Sequence, residues 1–287
     1  MHWLAMLVVL AVASTTACAA GDAPTTGSSV TPTREVASAV AGGRTTVLTG
    51  AAPAERKSGT IKVAAAADLR TALTLIQPDI ERQCETKLAF VFGSSGQLTT
   101  QVAAGADFGV LLSADAQYPA DLLRAGAVVP NGIASYAVGR IALATRAGLD
   151  PITDVASLAR ADVRTIAIAN PLHAPYGRAA EQALRQAGVY DRIKNRLVLA
   201  ENIRQATDYV EQGNADAAIV AYALVINGSP AKWTLIDASM HRPIEQGAAV
   251  IKGSGAELTG RCVLQYILDP AGQAALRQFG FEPVAPR

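Results

Sequence analysis

The sequence predicts an α/β fold of two lobes, with mostly parallel sheets and two strands that form a hinge between the lobes. From Gly59 onward, short apolar runs alternate with stretches whose apolar residues recur at helical spacing. This alternation is typical of parallel sheets covered by helices. Two further strand-like runs, Tyr136–Thr145 and Ala248–Lys252, suit a pair of crossings between two lobes. A ligand is then expected in the cleft between the lobes.

The individual elements follow from the same periodicity. A helix is expected to end at Gly126, because glycine readily adopts the left-handed conformation after a helix. The predicted strands are Ile61–Ala66, Leu88–Phe92, Phe108–Leu112, Thr165–Ala169, Leu197–Leu199 and Ala217–Val220. The predicted helices are Leu69–Arg82, Gln97–Ala104, Ala116–Ala125, Arg178–Ala187, Ile203–Gln212 and the helical stretch Leu258–Phe279.

The lobe boundaries follow from the two crossings. Residues 59–135 and 250–287 are expected to form the first lobe, and residues 136–249 the second. The helices within Leu258–Phe279 are expected to return to the first lobe. Half of the 287 residues are hydrophobic, which is enough for cores of this size.

The first 18 residues are expected to form a signal peptide of the lipoprotein type. Trp3–Ala13 is an apolar run too short to span a bilayer, although no Lys or Arg precedes it. Cys18 stands where a bacterial lipoprotein carries its lipid-modified cysteine. Thr15 occupies the place of the usual aliphatic residue, so ordinary cleavage after Ala17 or Ala19 is the alternative.

Residues 19–58 are predicted to be a disordered linker. They are rich in Ala, Gly, Thr, Ser and Pro and contain almost no large apolar residue. Such a segment cannot bury enough surface to offset its ordering entropy. A flexible tether behind a lipid anchor would place the protein in the periplasm or at the outer face of the cytoplasmic membrane.

Two cysteines remain in the body, Cys84 and Cys262. Export makes a disulfide possible, and two buried free thiols are the alternative. The formal net charge of +1 implies no basic surface for nucleic acid, and aromatic residues make up only 5% of the chain. We therefore expect no nucleic-acid partner.

Small or capping residues stand at five strand-to-helix junctions. The carboxyl ends of parallel strands lie at one edge of a sheet, so several helix N-termini are expected to converge on one cleft. Their unpaired N–H groups and partial positive charge can bind an anion without Lys or Arg, although a single such residue is more often only a cap. The junctions are Ala67–Asp68, Gly93–Gly96, Ser113–Asp115, Pro175–Gly177 and Glu201–Ile203.

Between Thr60 and Phe281 the sequence resembles the periplasmic molybdate-binding proteins of ABC transporters. The early Ser-Ser-Gly and Ser-Ala-Asp pair is the most specific part of the resemblance. The matching segments are Val63–Leu69, Phe92–Leu98, Leu112–Asp115, Asn170–Gly177, Ala200–Ile203, Asp269–Gln273 and Phe279–Phe281. The resemblance implies a periplasmic binding protein of type II, an ABC permease in the inner membrane as partner, a monomer and no cofactor besides the bound molybdate or tungstate.

The resemblance also implies six ligand-binding positions, all at the junctions. Ser95 is expected to donate through its hydroxyl and backbone N–H, while Tyr176 and Ile203 contribute backbone N–H groups. The remaining three positions line the pocket. The full set is Ala67, Asp68, Ser95, Ala114, Tyr176 and Ile203.

Asp68 departs from the family, which has Ser or Asn at this position. A carboxylate about 4 Å from a dianion, at an effective dielectric constant near 20, repels it by roughly 8 kcal/mol. Three interpretations remain, of which we favour the first: Asp68 points away and caps its own helix. The second is neutralisation by Arg70, Arg178 or Arg204. The third is a protonated oxyanion that donates a hydrogen bond to Asp68.

A second departure concerns a tyrosine that part of the family places in the pocket. The matching position here is Ala221, and Tyr222 is displaced by one residue. Tyr222 is therefore expected to be a packing residue.

Other functions are less well supported by the sequence. His173 is the only histidine at a junction, and no Ser-His-Asp motif, metal-ligand cluster or phosphate-binding Gly-rich loop accompanies it. We therefore expect no enzyme. A binder of phosphate, sulfate or a small organic acid is the main alternative, and a sensor module lacks a second domain to receive its signal.

Overall fold

The computed structural model describes residues 59–285; the predicted signal peptide, Cys18 and the linker lie outside this range. The strands are β1 (Thr60–Ala66), β2 (Lys87–Gly93), β3 (Val110–Ser113), β4 (Val128–Gly139), β5 (Ile141–Thr145), β6 (Ile166–Ala169), β7 (Leu197–Ala200), β8 (Ala217–Ala221), β9 (Lys232–Leu235) and β10 (Ile244–Ile251). The helices are α1 (Arg70–Cys84), α2 (Ser95–Ala103), α3 (Gln117–Arg124), α4 (Pro175–Gln186), α5 (Tyr190–Ile193), α6 (Ile203–Glu211), α7 (Tyr222–Val225), α8 (Glu257–Leu268) and α9 (Pro270–Gln278).

The strands form two five-stranded sheets, which confirms the predicted two-lobe α/β architecture. The first sheet has the order β2-β1-β3-β10-β4, and the second has the order β7-β6-β8-β5-β9. In each sheet three strands pair in parallel and the other two add antiparallel pairings, so both sheets are mixed. The apolar runs that predicted β6 and β8 are fully buried, as expected of strands covered on both faces.

The chain passes between the two sheets at two points, each a few residues inside the range 136–249 predicted for the second lobe. The predicted long run Tyr136–Thr145 is two strands of different sheets: β4 ends at Gly139, and β5 begins after Arg140. β10 returns the chain to the first sheet from Ile244. β4 and β10 pair antiparallel over most of their length, which keeps both strands in the first sheet. Sheet membership therefore changes near residues 140 and 243.

The last two helices pack against elements of the first sheet's lobe. α8 contacts α1 and β10, and a disulfide joins Cys84 of α1 to Cys262 of α8, with the Cα atoms 5.7 Å apart. The two cysteines are 178 positions apart in the chain, and cross-links of this kind contribute about 2–4 kcal/mol. After α9, Glu282 pairs through its backbone with Val138 of β4 and through its side chain with Arg140. The C-terminal segment thus holds the hinge strand.

Candidate functional site

The six predicted site residues line one small cavity between the two lobes. They come from five different junctions, and all are at least 96% buried. The cavity has a volume of about 10 Å³, roughly enough for one water molecule. An ion with four oxygen atoms therefore requires the walls to separate. The residues are Ala67, Asp68, Ser95, Ala114, Tyr176 and Ile203.

On the first lobe, Ser95 is the residue best placed to donate. It is the first residue of α2, so its backbone N–H has no acceptor one turn earlier within the helix. Its Oγ accepts a hydrogen bond from the backbone N–H of Ala114 at 2.9 Å. That contact occupies the Ala114 amide, fixes the serine rotamer and leaves the hydroxyl proton of Ser95 available to an acceptor in the cavity.

On the second lobe, two helix N-termini reach the same cavity. Tyr176 lies in the first turn of α4, which begins at Pro175. Gly177 lets this turn approach β6 closely, because a Cβ atom there would lie 2.1 Å from the carbonyl oxygen of Ala169. Ile203 begins α6, and the backbone N–H of Ile203 lacks an acceptor within the helix. Its apolar side chain does not weaken that donor.

The Asn202 side chain completes the start of α6. Its Oδ1 accepts from the backbone N–H groups of Arg204 at 3.0 Å and Gln205 at 3.1 Å. The cap supplies the acceptor for those two amides, so the N–H of Ile203 is the donor of this turn that remains available to a ligand. Asn202 thus caps the helix, while Ile203 provides the free backbone donor.

Asp68 occupies the short 3₁₀ turn Ala67–Leu69 between β1 and α1, where it is 1% exposed. Its Oδ2 accepts from the Tyr176 hydroxyl and from the side-chain Nε2 of Gln246, both at 2.9 Å. Its Oδ1 is buried and has no hydrogen-bond partner among the described residues. Burial raises the pKa of this carboxyl to about 6, although the hydrogen bonds from Tyr176 and Gln246, and to a lesser extent the backbone N–H groups of Asp68 and Leu69, oppose the shift.

Two of the three interpretations of Asp68 are wrong. It does not point away to cap its own helix, because its carboxylate contacts Tyr176 on the other lobe, and no side-chain cap bond is formed there. The site offers Asp68 a better set of donors than the helix terminus does. It is not neutralised by an arginine either, since none of the ion pairs formed within residues 59–285 involves Asp68.

The three candidate arginines have other partners. Arg70 lies over the ring of Phe92, with its Cζ 4.5 Å from the centroid. Arg178 pairs with Asp115 at 2.6 Å across the cleft. Arg204 pairs with two acidic residues within α6 and at its end, at 2.5 and 2.9 Å. Each guanidinium is therefore engaged elsewhere.

Sequence reasoning missed Gln246, which lies in β10 and is fully buried. Its Oε1 accepts from the hydroxyl of Tyr136 at 3.1 Å, and its Nε2 donates to Asp68. Gly139 leaves space for this network, because a Cβ atom there would lie 2.2 Å from the Tyr176 hydroxyl oxygen. A glutamine inside an apolar strand was the available signal. The predicted strand began two residues later, at Ala248.

Further contacts between the lobes surround the cavity. The carbonyl oxygen of His173 accepts from Ser94 Oγ at 2.6 Å and from the backbone N–H of Gly96 at 3.0 Å. Since the Ser94 hydroxyl proton is engaged there, the imidazole Nδ1, 2.9 Å away, donates to Ser94 Oγ. His173 is thus a contact between lobes. With the Arg178–Asp115 ion pair, these bonds hold the cleft in a closed arrangement.

A larger cavity of about 790 Å³ adjoins the small one and shares Ala114 and Pro175 with it. Its walls contain the Arg178–Asp115 ion pair, and Glu245 there accepts from Ser135. Its side chains carry charges of both signs rather than several inward donors. The small cavity is therefore the better anion site.

The remaining expectations concern Tyr222 and metal ligands. Tyr222 starts α7 and packs edge-to-face against Trp233, with ring centroids 5.1 Å apart, as expected of a packing residue. Residues 59–285 contain no cluster of three or more His, Cys, Asp or Glu side chains suited to a metal ion. None of the helices in that range is long and apolar enough to cross a membrane.

The chain is similar to known bacterial solute-binding proteins. The family model for bacterial extracellular solute-binding proteins matches residues 61–282. The molybdate-binding protein ModA of Rhodobacter capsulatus is 33% identical over 68% of this chain and 77% of its own. A putative ABC transporter substrate-binding lipoprotein of Bacillus subtilis, YvgL, is 26% identical over 78% and 87%. The solved periplasmic molybdate-binding protein of Azotobacter vinelandii superposes with a TM-score of 0.73 at 28% identity, covering 79% of this chain and all of that one.

Proposed function

The chain belongs to the family of bacterial extracellular solute-binding proteins, and we propose that it captures molybdate or tungstate and delivers the ion to an ABC permease. The observation that carries the proposal is the convergence of uncharged donors on one buried cavity. The Ser95 hydroxyl and the first-turn amides of α2, α4 and α6 come from both lobes. The molybdate-binding relatives from Rhodobacter and Azotobacter support the choice of ion.

Uncharged donors suit a tetrahedral dianion that has lost its water. A hydrogen bond to a charged group contributes about 1.5–3 kcal/mol, and several together offset the desolvation of the ion. Helix N-termini add a partial positive charge at the same place. The site therefore binds the oxyanion through several uncharged hydrogen-bond donors rather than through a positively charged side chain.

Delivery follows from the hinge. Donors from both lobes bind the same ion, so the ligand stabilises the closed form, and the permease recognises that shape. We expect the lobes to rotate about the two connections between the sheets, between β4 and β5 and just before β10. The protein works as a monomer in this scheme, and it needs no catalytic step.

Export and anchoring complete the proposal. Cys18 carries the lipid, residues 19–58 form the tether, and the folded body works at the outer face of the cytoplasmic membrane. The sequence Ala17-Cys18-Ala19 and the name of the Bacillus relative, a lipoprotein, support this arrangement. Mass spectrometry of the mature protein tests it: a diacyl adduct on Cys18 is expected, and an unmodified N-terminus after Ala17 or Ala19 would contradict it.

A second candidate is an oxyanion that carries its own proton, such as hydrogen phosphate. The buried, unpartnered Oδ1 of Asp68 favours it, because an ionised carboxylate accepts a hydrogen bond that molybdate cannot donate at neutral pH. The two candidates therefore differ in which partner supplies the proton at Asp68.

Thermal unfolding with an oxyanion panel separates the candidates. Molybdate and tungstate are expected to raise the melting temperature more than sulfate or phosphate, because only a bound ligand stabilises the folded state. A rise with phosphate alone would favour the second candidate.

A pair of variants on α2 tests the site. Ser95→Ala is expected to weaken molybdate binding about 10- to 100-fold, the equivalent of one charge-assisted hydrogen bond. Thr100→Ala is the matched control, since its hydroxyl lies on the same helix and, within residues 59–285, donates to the carbonyl of Gly96 and not to the cavity. Equal affinities for the two variants in calorimetry would place the ion elsewhere.

A further inference from the structure

Asp68 presents an acceptor where an oxyanion site needs a donor. Its side chain lines the cavity, Oδ2 is occupied by Tyr176 and Gln246, and Oδ1 is buried without a partner among the described residues. An ionised carboxylate in that position repels a dianion, and two acceptor oxygens would face each other without a proton. Either the ion stays out, or a proton lies between them.

The neighbourhood offers Asp68 no permanent counter-charge. Tyr176 of α4 and Tyr136 of β4 face it as neutral phenols, because burial raises their pKa well above the ordinary value and the Asp68 charge raises it further. From β10 the facing group is the uncharged Gln246.

The other elements packed against the Ala67–Leu69 turn are α1, α6 and α7. The titratable side chains of these helices nearest in sequence to the contact are Arg70, Arg204 and Tyr222. Arg70 lies over the ring of Phe92, and Arg204 forms ion pairs with two acidic residues of α6. Tyr222 packs against Trp233. Within residues 59–285 no cation lies within ion-pair distance of Asp68, so a proton is the only neutralising group that the site supplies.

We infer that Asp68 binds the oxyanion in its protonated form, so that capture of a fully deprotonated oxyanion takes up one proton from solvent. The proton adds to Oδ1, forms an O–H bond and donates to one oxygen of the ion, while no bond of the ion breaks. Asp68 then becomes a further donor of the site. This inference rests on the proposed function.

The acid strength of Asp68 suits this role. Its pKa of about 6 in the described structure means that most molecules are ionised at neutral pH. A dianion in contact with Oδ1 raises the pKa further, since like charges favour the neutral form of the acid. Tyr176 and Gln246 both bind Oδ2, so Oδ1 is the oxygen left to take up the proton and contact the ligand.

The wild-type protein alone provides the first test. Titration calorimetry with molybdate near pH 7.5, in two buffers that differ in ionisation enthalpy, is expected to give an uptake close to one proton per ion. Between about pH 7 and about pH 8.5 the Kd is expected to rise about tenfold per pH unit. Tungstate should behave in the same way.

Variants assign the proton to Asp68. Asp68→Asn keeps the shape of the side chain and supplies a fixed N–H donor, so its Kd is expected to be independent of pH and its proton uptake close to zero. Asp115→Asn is the matched control, because this carboxylate also lies at the cleft but pairs with Arg178. It should retain the pH slope of the wild type, whatever its affinity.

The possible outcomes distinguish a failure of the inference about Asp68 from a failure of the proposed function. Molybdate binding without proton uptake, or a pH slope that persists in Asp68→Asn, would overturn the inference and leave the proposed function standing. No binding of molybdate or tungstate by the wild type at any pH would overturn the proposed function itself. Binding of phosphate alone, without net proton uptake, would mean that the ligand brings the proton.

Discussion

Each lobe buries one aspartate, and the two have opposite surroundings. Asp216 of the second lobe accepts from Arg146 Nε at 2.9 Å through Oδ1, and from the amides of Arg164 and Thr165 at 2.8 and 3.1 Å through Oδ2. Burial opposes its ionisation, but these three donors outweigh burial and lower its pKa. Asp68 of the first lobe has two neutral donors on one oxygen and none on the other, and its pKa is raised to about 6.

A structural buried acid and a functional one differ in whether both carboxylate oxygens are paired. Asp216 has a partner on both oxygens and belongs to the scaffold, where it ties β5 and its following turn to the start of β6. Asp68 is left half satisfied at the cavity. Buried polar groups are normally paired, so an unpaired oxygen at a cavity wall indicates that a ligand completes it.

Removal of the scaffold aspartate is expected to have the largest effect on stability. Asp216→Ala leaves two amides and Arg146 without their acceptor, and we expect the free energy of unfolding at pH 7 to fall by about 3 kcal/mol. Because the folded pKa of Asp216 is lowered, its contribution is present above the unfolded pKa and is lost as the pH falls through the folded value.

Urea unfolding at neutral and acid pH measures this effect. The variant and the wild type should differ most at pH 7 and converge in acid. An equal difference at both pH values would mean that packing, and not the carboxylate, supplies the contribution of Asp216.

Neutralising the aspartate at the cavity is expected to act in the opposite direction. Asp68→Asn should raise the free energy of unfolding by up to about 3 kcal/mol near pH 7.5, which corresponds to a shift of about two pKa units. The folded pKa lies above the unfolded one, so ionised Asp68 costs stability above about pH 6. That cost disappears below the unfolded value.

Thermal or urea unfolding of the ligand-free proteins checks this prediction. The gain should shrink towards pH 4, and Asp216→Asn is the control that should lose stability at pH 7.5 instead. If Asp68→Asn is destabilised at every pH, the carboxylate of Asp68 belongs to the scaffold and the comparison fails.

The sequence alone predicts that Asp68 lies in the site, but it does not predict which residues surround its carboxylate. The element order and the junctions follow from local periodicity and capping, which is why residues from five junctions were expected at one cleft and all line one cavity. Gln246 and Gly139 depend on the antiparallel pairing of β4 with β10, between strands more than 100 residues apart. A local sequence pattern does not determine strand register between segments so far apart in the chain.

The preference for a helix cap at Asp68 failed for the same reason. Local chemistry favours a cap for Asp before a helix. Here the Tyr176 hydroxyl, 108 residues away, and the Gln246 side-chain amide, 178 residues away, both donate to Oδ2 at 2.9 Å. These long-range bonds take the place of the local helix cap. Asn202 has no such competitor, and there the cap predicted by local chemistry is formed.

The smallest expected effect comes from removing one donor of Asp68. Tyr176→Phe deletes a hydrogen bond to a buried carboxylate, and we expect a loss of about 1–2 kcal/mol at pH 7.5 and less below pH 5. The bond lowers the pKa of Asp68, so its removal should move that pKa above the present value of about 6. The pKa of Asp216 should not move, because its donors are all in the second lobe.

Carbon-detected NMR titration of the aspartate carboxyl groups measures both pKa values in one sample. Tyr222→Phe is the control, since its ring packs against Trp233 and its hydroxyl forms no bond to Asp68. A rise for Asp68 in Tyr176→Phe alone would establish that the second lobe sets the acidity of an acid on the first. Because Tyr176 approaches Asp68 only across the cleft, the same shift would report whether the ligand-free lobes are closed in solution. An unchanged Asp68 titration would mean that they are open.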